Sequence, residues 1–216
     1  GRDRGDAPGL CRRVALLDAL QVLALRLAGG AWGGAGVRGG PELARPAHDI
    51  CARLSRFMST SSKVSTVLQN PGLARVYFPL ADYILRKCSL QSRHTRIIIL
   101  RVAWLWRFEV EWAIHSSIAV RDGILSDEDV RRVVQGPADP AWSPLEKLII
   151  TSVDQMRESS NIDDTVWCAL ADEFSNQQLA DLTFTIGSYV LAGMYMNCFG
   201  LPVPAGLKGF ESYQTE

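Results

Sequence analysis

The sequence predicts an all-α protein, and three observations carry that reading. From Pro41 onward apolar residues recur at helical spacing, no stretch alternates in the manner of a half-buried strand, and capping residues punctuate the chain at regular intervals. Asn70-Pro71-Gly72 opens one helix, and Ser126-Asp127-Glu128-Asp129 places an N-cap and acidic residues at the start of another, with Gly123 before it as a stop. Ser143-Pro144-Leu145-Glu146 is a capping box with proline at the first helical position, and Ser175-Asn176-Gln177-Gln178 repeats the box. Gly200 and Pro202 end the last helix. The helices expected are 42–57, 72–87, 92–121, 126–135, 143–158, 163–174 and 176–198.

The whole chain has 216 residues, 47% of them hydrophobic and 21% charged, which suits a globular core rather than a disordered chain. It divides into two regions. Residues 1–45 hold ten of the 18 glycines around one apolar stretch, Val14 to Ala28, which Asp18 and Arg26 interrupt before it reaches the roughly 20 apolar residues of a membrane span. The expectation there is an amphipathic helix on a glycine-rich tether. The first methionine is Met58, so this region is left without a function. Residues 46–216 form the helical domain.

The 23 basic and 23 acidic residues cancel, but not evenly along the chain. Up to Arg107 there are 17 basic and 6 acidic residues, and from Phe108 onward 6 and 17. Such halves suit pairing within the molecule or between subunits, and with no basic run or nucleic-acid motif DNA and RNA are set aside. The five cysteines lie at least thirty residues apart and form no CxxC pair, while His48, His94 and His115 form no HExxH or HxH pair. Neither a local metal cluster nor a cofactor is expected. An odd number of scattered thiols with no clear export signal points to a reducing, cytoplasmic location.

The chemistry is expected on the long helix 92–121. Taken as one continuous helix, it sets Ile97, Arg101, Trp104, Phe108, Glu111, His115 and Ala119 within roughly 40° of one line. Three ionisable groups on an apolar stripe must satisfy one another or line a polar cavity, because an unpaired buried charge costs several kcal/mol. Glu111 and His115 stand at i, i+4, where carboxylate and imidazole meet. Two readings stay open: a buried network that fixes packing, or a proton-transfer pair with Arg101 holding a substrate carboxylate. Trp104, Phe108 and Trp112 suit the core or a pocket wall. On the last helix Tyr189, Gly193 and Asn197 recur at i, i+4, i+8, so that Tyr189 and Asn197 are candidates for the facing wall.

The run Arg96-Ile97-Ile98-Ile99-Leu100-Arg101-Val102-Ala103-Trp104, then Val110-Glu111-Trp112-Ala113-Ile114-His115, then Gly123-Ile124-Leu125-Ser126-Asp127-Glu128-Asp129-Val130, resembles the carboxymuconolactone decarboxylase family of the alkylhydroperoxidase D-like superfamily. The likeness runs on through Trp142-Ser143-Pro144-Leu145-Glu146 and Gly187-Ser188-Tyr189 to Phe210, about 140 residues from Asn70. It implies a compact all-α bundle around a long buried central helix, assembled into trimers or hexamers. It also implies one of two chemistries, thiol-based peroxide reduction or cofactor-free decarboxylation. The redox cysteines of the family would fall seven and four residues before His115, where this chain has Phe108 and Glu111, and the relay glutamate near Arg96. The histidine alone remains. The expected function is therefore acid–base chemistry (a decarboxylase, lyase or isomerase) on a small carboxylated substrate. A thiol antioxidant using dispersed cysteines, or a non-catalytic oligomeric scaffold, stands as the alternative.

Overall fold

The computed structural model describes residues 66–213. The glycine-rich region 1–45 and the helix expected over 42–57 lie outside the described residues. Seven α-helices follow: α1 (Pro71–Arg86), α2 (Ser92–Leu105), α3 (Glu109–Arg121), α4 (Asp127–Gln135), α5 (Pro144–Ser159), α6 (Asp164–Glu173) and α7 (Asn176–Cys198), with a short 3-10 turn at Phe210–Tyr213. No strand occurs among the described residues.

The helix starts follow from side-chain oxygens that accept the first free backbone N–H groups. Asn70 caps α1 through Leu73 N–H at 3.0 Å. Ser126, Ser143 and Ser175 each take part in a complete capping box, with Asp129, Glu146 and Gln178 reaching back to the cap N–H. Asp163 caps α6 through Val166 N–H at 2.8 Å.

α2 is the axis of the bundle. Ile97, Ile98, Ile99 and Leu100 are consecutive and all fully buried, so the helix is covered on every side, by α5, α7 and α3 and along one edge by α4. Burying four such side chains contributes about 1.5–3 kcal/mol each before the entropy of ordering them is counted.

Residues 92–121 are not one helix. α2 ends at Leu105 and α3 begins at Glu109. Arg107 adopts a left-handed φ of 61°, Phe108 N–H reaches Ala103 O at 2.8 Å, and Arg107 N–H reaches Trp104 O at 3.3 Å. This is a Schellman termination with arginine where glycine is usual. Its cost of roughly 1–2 kcal/mol is offset by packing. The Phe108 ring enters a notch at Gly193 of α7, where an added Cβ would stand 2.0 Å from a ring carbon, and the Arg107 guanidinium lies 4.3 Å from the Phe210 ring centre and 5.2 Å from that of Trp104. The chain reverses here, and α3 folds back along α2.

Charges of opposite sign from the two halves of the sequence meet inside the bundle. Arg93 bridges Asp129 at 2.9 Å and Glu146 at 2.7 Å, and Arg101 bridges Asp154 at 2.6 Å. The segment after α7 folds back so that Phe210 and Tyr213 pack on Trp104 and Trp112. Glu109 holds that return by accepting Phe210 N–H at 3.1 Å.

Candidate active site

The reversal at Arg107 decides what surrounds His115. In an unbroken helix Arg96 and His115 would be about 28 Å apart. With α3 folded onto α2, Arg96 Nη1 lies 2.5 Å from His115 Nδ1. On the other edge of the ring, His115 Nε2 lies 3.1 Å from Glu111 Oε2, the i, i+4 contact that the spacing predicts. The Tyr189 ring of α7 meets the imidazole edge-on at 5.1 Å between centres. Glu111 is 1% exposed and His115 5%. Arg96 is only half-buried, and is therefore the edge of the group nearest to water.

A guanidinium has donors and no lone pair, so the nitrogen facing Arg96 must be the imidazole acceptor. That assigns the neutral Nε2–H tautomer to His115, with Nε2 on the side of Glu111 and the lone pair on Nδ1. Burial pulls the Arg96 guanidinium below its ordinary value, while neighbouring Tyr189 and Asp122 act the other way. An arginine nevertheless keeps its proton at neutral pH. Burial first, and then the Glu111 charge, push the Tyr189 phenol well above its usual range, so it stays an O–H donor.

The remaining sequence candidates lie elsewhere. Arg101 does not join Glu111 and His115, contrary to the single-helix expectation. It donates through Nε and Nη2 to Asp154 at 2.6 and 2.9 Å and through Nη1 to Val133 O and Val134 O at 2.7 and 3.1 Å. It thereby satisfies carbonyls at the C-terminal end of α4 and ties α4 to α5 through α2. Phe108 fills the Gly193 notch and is core. Trp104 packs on Trp112, 5.2 Å between ring centres, beneath the Arg107 guanidinium. Asn197 is exposed and donates a long hydrogen bond of 3.4 Å to Arg107 O. Of the seven residues expected at the site, Glu111, His115 and Tyr189 are brought together. Arg96 is the member that spacing did not find, since its approach depends on a turn with no glycine or proline to announce it.

Cys88 contacts Ile84 O at 3.0 Å and Thr95 Oγ1 at 3.7 Å, and Cys88, Cys168 and Cys198 are all free thiols. Among the described residues no group of three or more His, Cys, Asp or Glu could hold a metal ion. Nor is any helix among them long and apolar enough to cross a membrane.

No protein-family model and no curated protein sequence matches the chain. Solved structures do. A protein of unknown function from Agrobacterium tumefaciens that carries an AhpD antioxidant-defence label superposes with a TM-score of 0.60 at 18% identity, covering 67% of this chain and 99% of that one. The alkylhydroperoxidase AhpD core of an uncharacterised peroxidase-related protein from Ralstonia eutropha JMP134 gives 0.60 at 14% identity, covering 76% and 90%. This chain has an alkylhydroperoxidase D-like fold. A further peroxidase-related protein, from Silicibacter sp. TM1040, gives 0.63 at 10% identity over 74% and 86%. Within this alkylhydroperoxidase D-like bundle, the places that the sequence resemblance assigns to redox cysteines are a buried phenylalanine, Phe108, and a buried carboxylate, Glu111.

Proposed function

We propose that the chain is a cofactor-free acid–base enzyme acting on a small carboxylated substrate, in a decarboxylation, isomerisation or related lyase step, as the likeness to carboxymuconolactone decarboxylases implies. The observation that carries the reading is the order Arg96, His115, Glu111: a cation against the imidazole lone pair at Nδ1 and a carboxylate 3.1 Å from Nε2 on the other edge of the ring. Glu111 then orients His115 and stabilises the imidazolium that forms, the part a carboxylate takes in hydrolytic triads. His115 Nδ1 is the base. Arg96 receives the substrate carboxylate, and in turning to it leaves Nδ1 free. In an isomerisation Nδ1 takes a proton from one carbon and returns it to another. In a decarboxylation the bond from carbon to a carboxylate breaks, CO2 leaves, and the enolate carbon gains its proton from water through His115. Tyr189, held as a phenol, can donate to an enolate oxygen. In this scheme Arg96, and not Arg101, is the anion anchor.

The test needs no named substrate. Pyruvate, succinate and cis,cis-muconate serve as probes, with binding followed by tryptophan fluorescence and carbon-bound proton exchange in D2O followed by NMR. At least one is expected to bind, to lose that binding in Arg96→Leu, and to exchange protons in a His115-dependent way. Peroxide reduction that disappears when every cysteine is replaced by serine, in a folded protein, would favour a thiol antioxidant instead.

A second reading is supported by the low exposure of His115 and Glu111. In it the triplet is a structural tie in a non-catalytic oligomeric scaffold. Its mark would be a His115→Gln variant that loses thermal stability, in a protein that binds none of the probes.

A further inference from the structure

A second partner for Arg96 stands further along α3. His115 and Asp122 are seven residues apart, two turns of one helix, and so share a face at a separation of about 10 Å along the axis. Arg96 lies between them. Trp104 of α2 meets Trp112 of α3, 5.2 Å between ring centres. In this antiparallel pair Arg96, eight residues before Trp104, therefore comes level with Val120, eight after Trp112. From there the guanidinium reaches back about five residues along α3 to His115 Nδ1, whereas Asp122 is about two residues away on the other side. The Cα–Cβ bond of a helical residue leans toward the helix N-terminus, which for α2 is the direction of Asp122.

Asp122 pairs with Arg121 at 2.8 Å, but the Arg121 side chain is 69% exposed and that of Asp122 41%, and an ion pair so open to water contributes little. Arg121 first, and then Arg96, act to hold the Asp122 carboxyl below its ordinary value. Burial lowers the Arg96 guanidinium, and Tyr189 and then Asp122 act against that. The charged and titratable groups around the His115 ring are Glu111 on α3 itself, Arg96 on α2 and Tyr189 on α7, with Tyr77 of α1 and Cys88 beyond Tyr189. A guanidinium can face Nδ1 only while that nitrogen keeps its lone pair. Once Nδ1 holds a proton the two are cations in contact at a buried site, and Arg96 has to leave.

We propose that Asp122 is the positioning residue to which Arg96 turns when His115 takes up a proton. The proposal rests on the acid–base reading above and gives the Arg96 step of that reading its destination. Nδ1 accepts the proton while the bonding pair stays on the substrate carbon, and Glu111 balances the imidazolium at its Nε2 edge. Asp122 holds the guanidinium outward, with N–H groups to spare for the substrate carboxylate. Arg121 is the competitor for the same carboxylate.

Imidazole nitrogen NMR on the full-length chain without substrate, followed between about pH 5 and 9, reads proton uptake at His115. Asp122→Asn should lower its midpoint by about 1 pH unit, and Arg121→Gln, which removes the competitor, should raise it. In an Arg96→Leu background Asp122→Asn should leave the midpoint unmoved, because a carboxylate about 10 Å from the ring is screened and the effect passes through the guanidinium. Arg96→Gln serves as that background if Arg96→Leu does not fold. With a probe that exchanges carbon-bound protons, Asp122→Asn should also cut the maximal rate by about 10-fold without raising the half-saturating concentration. An equal shift in both backgrounds, no shift in either, or a His115 ring that takes no proton in this range overturns the proposal. The titration uses no substrate, so it can fail while probe binding and exchange hold, and succeed where no probe binds.

Discussion

Glu111 was legible because an i, i+4 carboxylate and histidine on an apolar stripe have few other ways to be buried. Arg96 was not, because its partner lies 19 positions away and is reached only through a chain reversal. Arg101 misled for the same reason, since a stripe drawn through an unbroken helix assigns it to a line it does not share. Glu111→Gln separates the roles. The amide keeps the size and polarity of the carboxyl beside Nε2, so stability in denaturation should change by no more than about 1 kcal/mol, while His115-dependent proton exchange should fall by about 100-fold or more as the imidazolium loses its counter-charge. Arg101→Leu should do the opposite, costing about 3 kcal/mol in chemical denaturation by stranding Asp154 and the α4 carbonyls, with probe binding at Arg96 retained. His94 supplies a pH signature. Burial depresses its pKa below the ordinary histidine value, so as pH falls through about 6.5 the unfolded chain takes up a proton that the folded chain refuses, and stability declines. His94→Phe should flatten that part of a stability–pH curve.

Helix ends show what local sequence can and cannot announce. α3 and α7 end in Schellman motifs at Gly123 and Gly200, with φ of 67° and 59° and the paired bonds Ile124 N to Ala119 O at 2.9 Å and Leu201 N to Met196 O at 3.1 Å. Both glycines marked those ends in the sequence. α2 ends in the same motif on Arg107, where tertiary packing of Phe108 against Gly193 selects a backbone that arginine would not choose alone. Gly193→Ala should therefore lower stability by about 1–3 kcal/mol, through overpacking against Phe108. In a double-mutant cycle with Phe108→Ala the two effects should be strongly non-additive, because both act on one notch. Additive losses would mean that the notch does not fix the turn. The capping boxes needed no tertiary information, and the starts of α4, α5 and α7 agree with the sequence expectation to within one residue.

Across the described residues, Arg93 and Arg101 from the basic half tie helices together through Asp129, Glu146 and Asp154 from the acidic half. Arg93 holds Asp129 well below the usual carboxylate range, and Glu146 is also lowered, by Ser143 and Arg93 acting against burial. Groups depressed in this way stabilise the fold above their unfolded values and lose that contribution as pH falls through and below about 4. Acid unfolding should accordingly have a second, steeper stage there, and Arg93→Gln should weaken it while leaving the His94 stage in place. The fold class was readable from caps and helical period, and the alkylhydroperoxidase D-like likeness agrees with it.

Imidazole nitrogen NMR on the ring of His115, with and without added carboxylate probes, reaches the centre of the account. The free protein should show a neutral ring with its proton on Nε2 and an unprotonated Nδ1, and a bound carboxylate should shift Nδ1 in the wild type but not in Arg96→Leu. A proton on Nδ1 in the free protein, or a ring that no carboxylate perturbs at tens of millimolar, would contradict it.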